Sequence, residues 1–192
     1  MSNITITSQG QTAIRQREGL VLSAYRCPAG RWTIGIGHTG RDVYAGLKIT
    51  RERALALFTA DVKPIEELLN AEGEWFRRSV KPYEFDALVS FIFNVGAMRY
   101  SKSTLRRMLR QGADKKEIAR QFLRWRYITT ANGEKIIAPG LERRRLGEAL
   151  QFLGYPEQLR SLGYPEALIS TAPALPYTEQ ARALGYTQDE LP

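Results

Sequence analysis

An α+β fold, mostly helical with a small sheet near the N-terminus, follows from three observations. Residues 25–47 are rich in Gly, Thr, Tyr, Ile and Val and are broken by turn residues, the composition of short strands. From residue 50 onward, apolar residues recur at helical spacing between recognisable start and stop signals. Strands and helices do not alternate along the chain, which argues against a parallel sheet.

Each element has its own signal. Ile14–Arg17 read as the end of a first helix, stopped by Gly19. Thr50 is a good N-cap, with Glu52 behind it in the first turn. Leu55, Leu57, Phe58, Val62, Ile65, Leu68 and Leu69 form a helical stripe, which Pro64 is expected to kink or divide. Pro82 suits a first helical position. Phe85, Leu88, Val89, Ile92, Phe93 and Val95 follow it up to Gly96, enough apolar residues to predict a helix buried on most sides. Ser103-Thr104 opens another helix that stops at Gly112, and Asp114 with Glu117 has capping-box spacing. Asn132-Gly133, set between Tyr127–Thr130 and Lys135–Ile137, predicts a hairpin with a two-residue turn. Pro139-Gly140 is expected to break the chain before a helix over Leu141–Leu153 that ends at Gly154.

The chain has 192 residues, one cysteine and one histidine. A single cysteine excludes an intramolecular disulfide, and one Cys with one His cannot make a zinc site, so no cofactor is expected. No secretory signal is visible at the N-terminus, and no apolar run approaches the roughly 20 residues a membrane helix needs. The net charge is +8, unevenly spread. Residues 151–192 hold two basic and five acidic residues, net −3; the remaining 26 basic and 15 acidic residues put +11 on residues 1–150. A basic body suits a polyanionic partner: nucleic acid, an anionic lipid surface or an acidic wall polymer.

The C-terminal segment repeats itself. Leu153-Gly154-Tyr155-Pro156-Glu157 returns as Leu162-Gly163-Tyr164-Pro165-Glu166, and more loosely as Leu184-Gly185-Tyr186. Gly caps one short helix while Pro starts the next. Residues 1–153 are therefore expected to form the main domain and 154–192 a short helical extension. Its Leu and Tyr residues are expected to pack back on the body, or else to serve wall binding or self-association.

The chemistry concentrates between Glu18 and Thr39. Glu18 stands where a helix should stop, ahead of Leu20 and Leu22 and of a glycine-rich strand that can fold over it. Partial burial favours a neutral carboxylic acid, as a general acid requires. Cys27 and Thr33 flank a Pro-Ala-Gly turn. Splitting a glycosidic bond takes an acid on the leaving oxygen and a second group that activates water or attacks the sugar. A free thiol titrates near pH 8.5, and Arg26 and Arg31 beside Cys27 favour its thiolate. Asp42 is the nearest other acid and a fallback second carboxylate. His38 is expected to hold the sheet against the Glu18 helix. No Ser-His-acid triad and no phosphate-binding glycine loop is present.

Glu18-x8-Cys27-x5-Thr33, with Thr33-Ile34-Gly35-Ile36-Gly37-His38-Thr39, resembles the phage-type lysozymes, endolysins of glycoside hydrolase family 24. The likeness continues through Phe85–Gly96, Ser103-Thr104-Leu105, Phe122–Trp125 and Pro139–Arg145, covering roughly residues 8–150. The resemblance implies a lysozyme-like fold of two lobes joined by a long helix. It also implies a muramidase that cuts the β-1,4 bond between N-acetylmuramic acid and N-acetylglucosamine by inversion. Glu18 matches the catalytic acid and Thr33 the threonine that helps hold the attacking water. Cys27 falls where many members carry aspartate and some cysteine. The resemblance places Asn94, Phe93 and His38 at the substrate, with Asn94 bonding an N-acetyl group or the Glu18 carboxylate. Arg143-Arg144-Arg145 suits either an anionic ligand or a partly solvated face paired with Glu142 and Glu148.

Two readings compete with this one. A catalytically weak peptidoglycan-binding protein on the same fold would explain the missing aspartate. Nucleic-acid binding would explain the charge and Arg124-Trp125-Arg126-Tyr127, but no helix-turn-helix or RNP-like pattern accompanies them. Under the muramidase reading, the protein is a monomer with peptidoglycan as its partner. It resides in the host cytoplasm until a holin-type partner opens the membrane, and then acts in the periplasm or cell wall.

Overall fold

Between Tyr83 and Ile92 every residue of one helix is buried, and the rest of the chain is arranged around it. The computed structural model describes residues 2–27, 30–130 and 132–161. In chain order it contains α1 (Ser8–Glu18), strands β1 (Val21–Arg26) and β2 (Trp32–Gly35), α2 (Arg51–Asn70), α3 (Glu74–Ser79) and α4 (Pro82–Val95), the buried helix. There follow α5 (Ala97–Ser101), α6 (Thr104–Arg110), α7 (Lys115–Leu123), strands β3 (Tyr127–Thr129) and β4 (Lys135–Ile137), α8 (Pro139–Leu153) and α9 (Pro156–Ser161). Both sheets among the described residues are antiparallel pairs, β1 with β2 and β3 with β4. The architecture is α+β and mostly helical, as the sequence predicts.

The core has two parts. Ile34, Val43 and Leu57 are buried in a small cluster, against which Ala24, Trp32, Leu47 and Ile49 pack. The larger cluster joins α1, α2, α4, α7 and α8 through residues such as Ile14, Leu69, Phe85, Phe91, Phe122 and Phe152. Twenty-residue α2, about 30 Å long, belongs to both. Its Leu57 lies in the small cluster and its Val62, Ile65 and Leu69 in the large one. That is the two-lobed plan joined by a long helix.

Pro64 does not divide α2, contrary to the sequence expectation. Pro64 and Ala60, whose carbonyl it leaves without a helical donor, are both exposed. Water can satisfy that carbonyl, so the missing bond falls on the cheap side of the helix. The strands also differ from expectation. β1 begins at Val21, and from Ile36 to Ile49 the chain keeps only isolated bridges, Ile34 to His38 and Ser23 to Lys48. α3 and α5 were not anticipated; at six and five residues they are too short to show a periodic stripe. Pro139 opens α8 as its first residue instead of breaking the chain.

The predicted caps at Thr50, Ser103 and Asp114 form: their side chains accept bonds from Arg53 N, Arg106 N and Lys116 N. The second hairpin is longer than a two-residue turn, because Thr130 N still donates to Glu134 O (2.8 Å), with Gly133 at φ 81°.

At the start of α1, Thr7 N donates to Asp86 Oδ1 of α4 (2.9 Å) and the Thr7 hydroxyl bonds Asp86 Oδ2. Gly10 allows that approach: a Cβ there would lie 2.4 Å from Asp86 Cγ. α1 is thereby pinned on α4, and its C-terminal Glu18 is aimed from a fixed base. At the other end of the described chain, Leu153 and Tyr155 of the first repeat are buried in the main core. The remaining repeats, from Leu162 onward, lie outside the described residues, as does the Pro28-Ala29 part of the first turn.

Candidate active site

Glu18 is the last residue of α1, and Gly19 (φ 75°) ends the helix by returning its N–H to Arg15 O (2.9 Å). The chain enters β1 two residues later, turns at Cys27–Gly30, and comes back along β2 to Gly37. Gly37 lies against the Glu18 carboxylate: a Cβ built there would be 3.4 Å from Glu18 Oε2 and 3.5 Å from Phe93 Cε1. Its φ of +76° also disfavours a side chain. Any larger residue would sit between the acid and the phenyl ring. Phe93 packs on Phe58 of α2, with ring centroids 5.6 Å apart.

The other carboxylate oxygen is held by Arg144, for which the sequence suits either an anionic ligand or a partly solvated face. Arg144 Nη1 donates to Glu18 Oε1 at 2.5 Å. The same guanidinium donates through Nε to Glu148 Oε1 (3.0 Å) and through Nη2 to Ser90 O (3.2 Å). The side chain of Arg144 is only 9% exposed and that of Glu18 19%. Burial by itself disfavours the Arg144 cation, but Glu148 and Glu18 outweigh it and hold the guanidinium firmly protonated. Glu18 is thus clamped by Arg144 through one oxygen, lies against Gly37 through the other, and remains partly exposed.

Behind the clamp lies a fully buried pair. Arg145 and Glu148 are both 0% exposed. Arg145 bonds Glu148 Oε2 through Nη1 and Asn94 Oδ1 through Nη2, and its guanidinium lies 5.0 Å from the Phe91 ring centroid. Ser90 Oγ donates to Glu148 Oε1 (2.7 Å) and accepts from Arg17 Nη1 (2.8 Å). α1, α4 and α8 meet in this network. Of the triplet only Arg143 is exposed, and Glu142 pairs with Arg126 (2.7 Å) instead of with the arginines beside it. Asn94 does not hydrogen-bond Glu18. It is exposed, and Arg145, Glu148 and Arg144 link it to the acid.

Cys27 and Thr33 share one face of the first hairpin. Tyr25 pairs with Thr33, and the ladder continues through Cys27 N to Arg31 O (2.9 Å). Cys27 and Thr33 are therefore diagonal cross-strand neighbours. Cys27 is half-buried and Thr33 is 3% exposed, its hydroxyl donating to Arg31 O (3.2 Å). Arg26 is directed away from the thiol: it donates to Gly30 O (2.7 Å) and lies over the Trp32 ring at 4.8 Å. Arg31 is the basic residue opposite Cys27.

His38 is held between two carboxylates. Nδ1 meets both oxygens of Asp61 (2.8 and 3.0 Å), and Nε2 meets both of Asp42 (each 3.3 Å). It ties the strand region to α2, not to the Glu18 helix, because Asp61 belongs to α2. Asp42 is likewise committed to His38. Partial burial pulls the imidazolium pKa down, but the bonds and charges of Asp61 and Asp42 outweigh it and leave it above the usual 6.5. A raised histidine pKa stabilises the fold below the unfolded value, and that stability is lost as pH rises through the folded value. Urea unfolding is therefore expected to show stability falling from about pH 6 into the alkaline range. Asp61→Asn should flatten that slope; an unchanged slope would remove His38 as its source.

No group of three or more metal-ligating side chains occurs among the described residues, and no described helix is long and apolar enough to cross a membrane. The family model for phage lysozyme matches residues 15–148, a span that runs from α1 to α8 and includes Glu18, Cys27, Thr33 and Arg144.

The chain belongs to the phage lysozyme family.

An endolysin of Acyrthosiphon pisum secondary endosymbiont phage 1 is 35% identical over 147 residues, spanning 77% of this chain and 97% of that one. Among solved structures, the endolysin from Escherichia coli O157:H7 phage FAHEc1 superposes with a TM-score of 0.71 at 32% identity, covering 85% of this chain and 98% of that one. The muramidase domain of SpmX from Asticaccaulis excentricus superposes at 0.69 with 35% identity, covering 78% and 97%. The chain is a lysozyme of the endolysin type, a phage muramidase that degrades peptidoglycan in cell lysis.

Proposed function

We propose that this phage lysozyme hydrolyses the β-1,4 bond between N-acetylmuramic acid and N-acetylglucosamine, with Glu18 as proton donor and Cys27 and Thr33 holding the attacking water. The observation that carries the reading is the setting of Glu18. One oxygen is fixed by Arg144, the other lies against Gly37 beside Phe93, and the side chain keeps 19% of its surface exposed. The proton on Glu18 passes to the leaving glycosidic oxygen as that bond breaks. A water on the opposite face of the sugar donates one hydrogen to Thr33 Oγ1, whose own hydrogen is engaged by Arg31 O, and the other to the Cys27 sulfur. Its lone pair then attacks the anomeric carbon, which inverts the configuration. The Cys27 sulfur, as thiolate, accepts this proton. Phe93 and Asn94 line the substrate side, and His38 with Asp61 and Asp42 holds the turn that carries Gly37.

The protein works as a monomer, without a cofactor, in the periplasm or cell wall. It reaches that place from the host cytoplasm once a holin-type partner has opened the membrane.

Borohydride reduction of the digested wall tests the bond: new reducing ends should be muramic acid, and new glucosamine ends would refute it. NMR of early products should show the inverted anomer. Cys27→Ala should lower the turbidity-loss rate about a hundredfold while Cys27→Asp keeps most of it. Full activity of Cys27→Ala would leave the water to Thr33 alone.

A further inference from the structure

On the side of the helical lobe built by α3, α6 and α7, a cationic concavity and an apolar pocket lie next to one another. The first, of about 390 Å³, is lined by Lys102, Arg106, Arg107 and Arg110 together with Ser101 and Ser103. The second, of about 370 Å³, is lined mostly by apolar residues, Trp75, Phe76, Val80, Leu109, Ile118 and Phe152 among them, and also by Ser79 and the paired Glu84 and Lys115. Two segments join them. α6 presents Arg106, Arg107 and Arg110 to one and Leu109 to the other. The chain leading into α3 also connects them: buried Glu72 anchors Arg106 (2.5 Å) and Arg110 (3.5 Å) of the first, and Trp75 of the second stands three residues on, no more than about 11 Å away along the chain. Lys102 and Arg107 are exposed and form no ion pair with any described residue. Trp75 is 42% exposed, its ring set edge-on against Phe76 with centroids 5.7 Å apart.

We propose that this surface docks on anionic phospholipid. A soluble polyanion, whether wall polymer or nucleic acid, would use the arginines and leave the apolar pocket unexplained. A purely apolar ligand would leave the cations unexplained. A phosphate joined to a hydrocarbon chain uses both: the phosphate is held by Lys102 and Arg107 beside the Glu72-anchored arginines, and the chain enters the pocket under Trp75. An indole with one apolar and one wet edge suits the boundary between them. None of these residues belongs to the Glu18 site, so the inference is independent of the hydrolytic reading.

The test uses the full-length protein with vesicles of phosphatidylcholine, alone or with about one third phosphatidylglycerol. Sedimentation should show binding to the mixed vesicles only, with a blue shift of tryptophan emission. Trp75→Phe should abolish the shift, although Trp32 and Trp125 remain. Lys102→Glu combined with Arg107→Glu should weaken partitioning about tenfold or more, and Lys102→Arg with Arg107→Lys should preserve it. All variants should clear purified peptidoglycan at the wild-type rate, which shows them folded and separates this result from that of the active site. Equal binding to both vesicle types, or full partitioning by the charge-reversed variant, would overturn the proposal. So would binding of soluble polyphosphate through Lys102 and Arg107 with vesicles ignored, which would assign the surface to a phosphate polymer.

Discussion

Glu18→Gln is expected to slow the clearing of purified peptidoglycan by about a hundredfold to ten-thousandfold, the range for loss of a positioned general acid. The substitution is nearly isosteric. A glutamine oxygen can still accept from Arg144 Nη1, and Arg144 keeps its bonds to Glu148 and to Ser90 O. The fold should therefore survive, and the protein should still sediment with peptidoglycan. What the variant lacks is the proton, since an amide cannot protonate a glycosidic oxygen. Loss of clearing with retained wall binding is the expected pair of results. Clearing at the wild-type rate would remove Glu18 from the chemistry. Loss of wall binding together with clearing would move the role of Glu18 from proton transfer to substrate contact.

The position of Glu18 was legible because its causes are local. Gly19 stops the helix, and the glycines from Gly35 to Gly37 let the strand region return close to the acid. The caps at Thr50 and Ser103 were readable for the same reason, since a hydroxyl and an amide three residues apart decide them. Burial of α4 could be read from composition alone, because a helix apolar on every side has no face to give to water. Pro64 shows the limit of such reading. Its local penalty is real, but whether it breaks a helix depends on what faces the freed carbonyl, and that is a tertiary fact.

Arg144 and Arg145 show the same limit at the site. Three consecutive arginines near Glu142 and Glu148 look like a solvated helical face. The partners that bury two of them come from residues 54 and 126 positions away on α4 and α1: Ser90 O and Glu18 for Arg144, and Asn94, 51 positions away, for Arg145. Only the i,i+3 and i,i+4 spacing of Glu148 to the two arginines was visible beforehand. The resemblance suggests contact of Asn94 with Glu18 or with substrate; Asn94 reaches the acid through Arg145, Glu148 and Arg144.

The second large effect is expected at Glu148, which lies at the centre of this network. Glu148→Gln leaves Arg145 buried with no carboxylate and takes one of two from Arg144. Breaking a buried ion pair from one side costs about 3–5 kcal/mol, which for a chain of this size lowers the melting temperature by roughly 10 °C. The loss should come mostly from the stranded cation, not from the attraction itself. Replacing the pair together, Arg145→Met with Glu148→Leu, should therefore recover more than half of it, although each change alone is severe. Catalysis supplies the second readout. Glu148 Oε1 anchors Arg144 Nε, and Arg144 holds Glu18, so a shift of the guanidinium moves the carboxyl group relative to the bond that Glu18 is proposed to protonate. Well below its melting temperature, Glu148→Gln should be fully folded and yet clear peptidoglycan about tenfold more slowly than wild type. A wild-type rate per folded molecule would mean that Arg144 keeps its place through Ser90 O and Glu18 alone, and that the buried pair serves only the packing of α8 on α4.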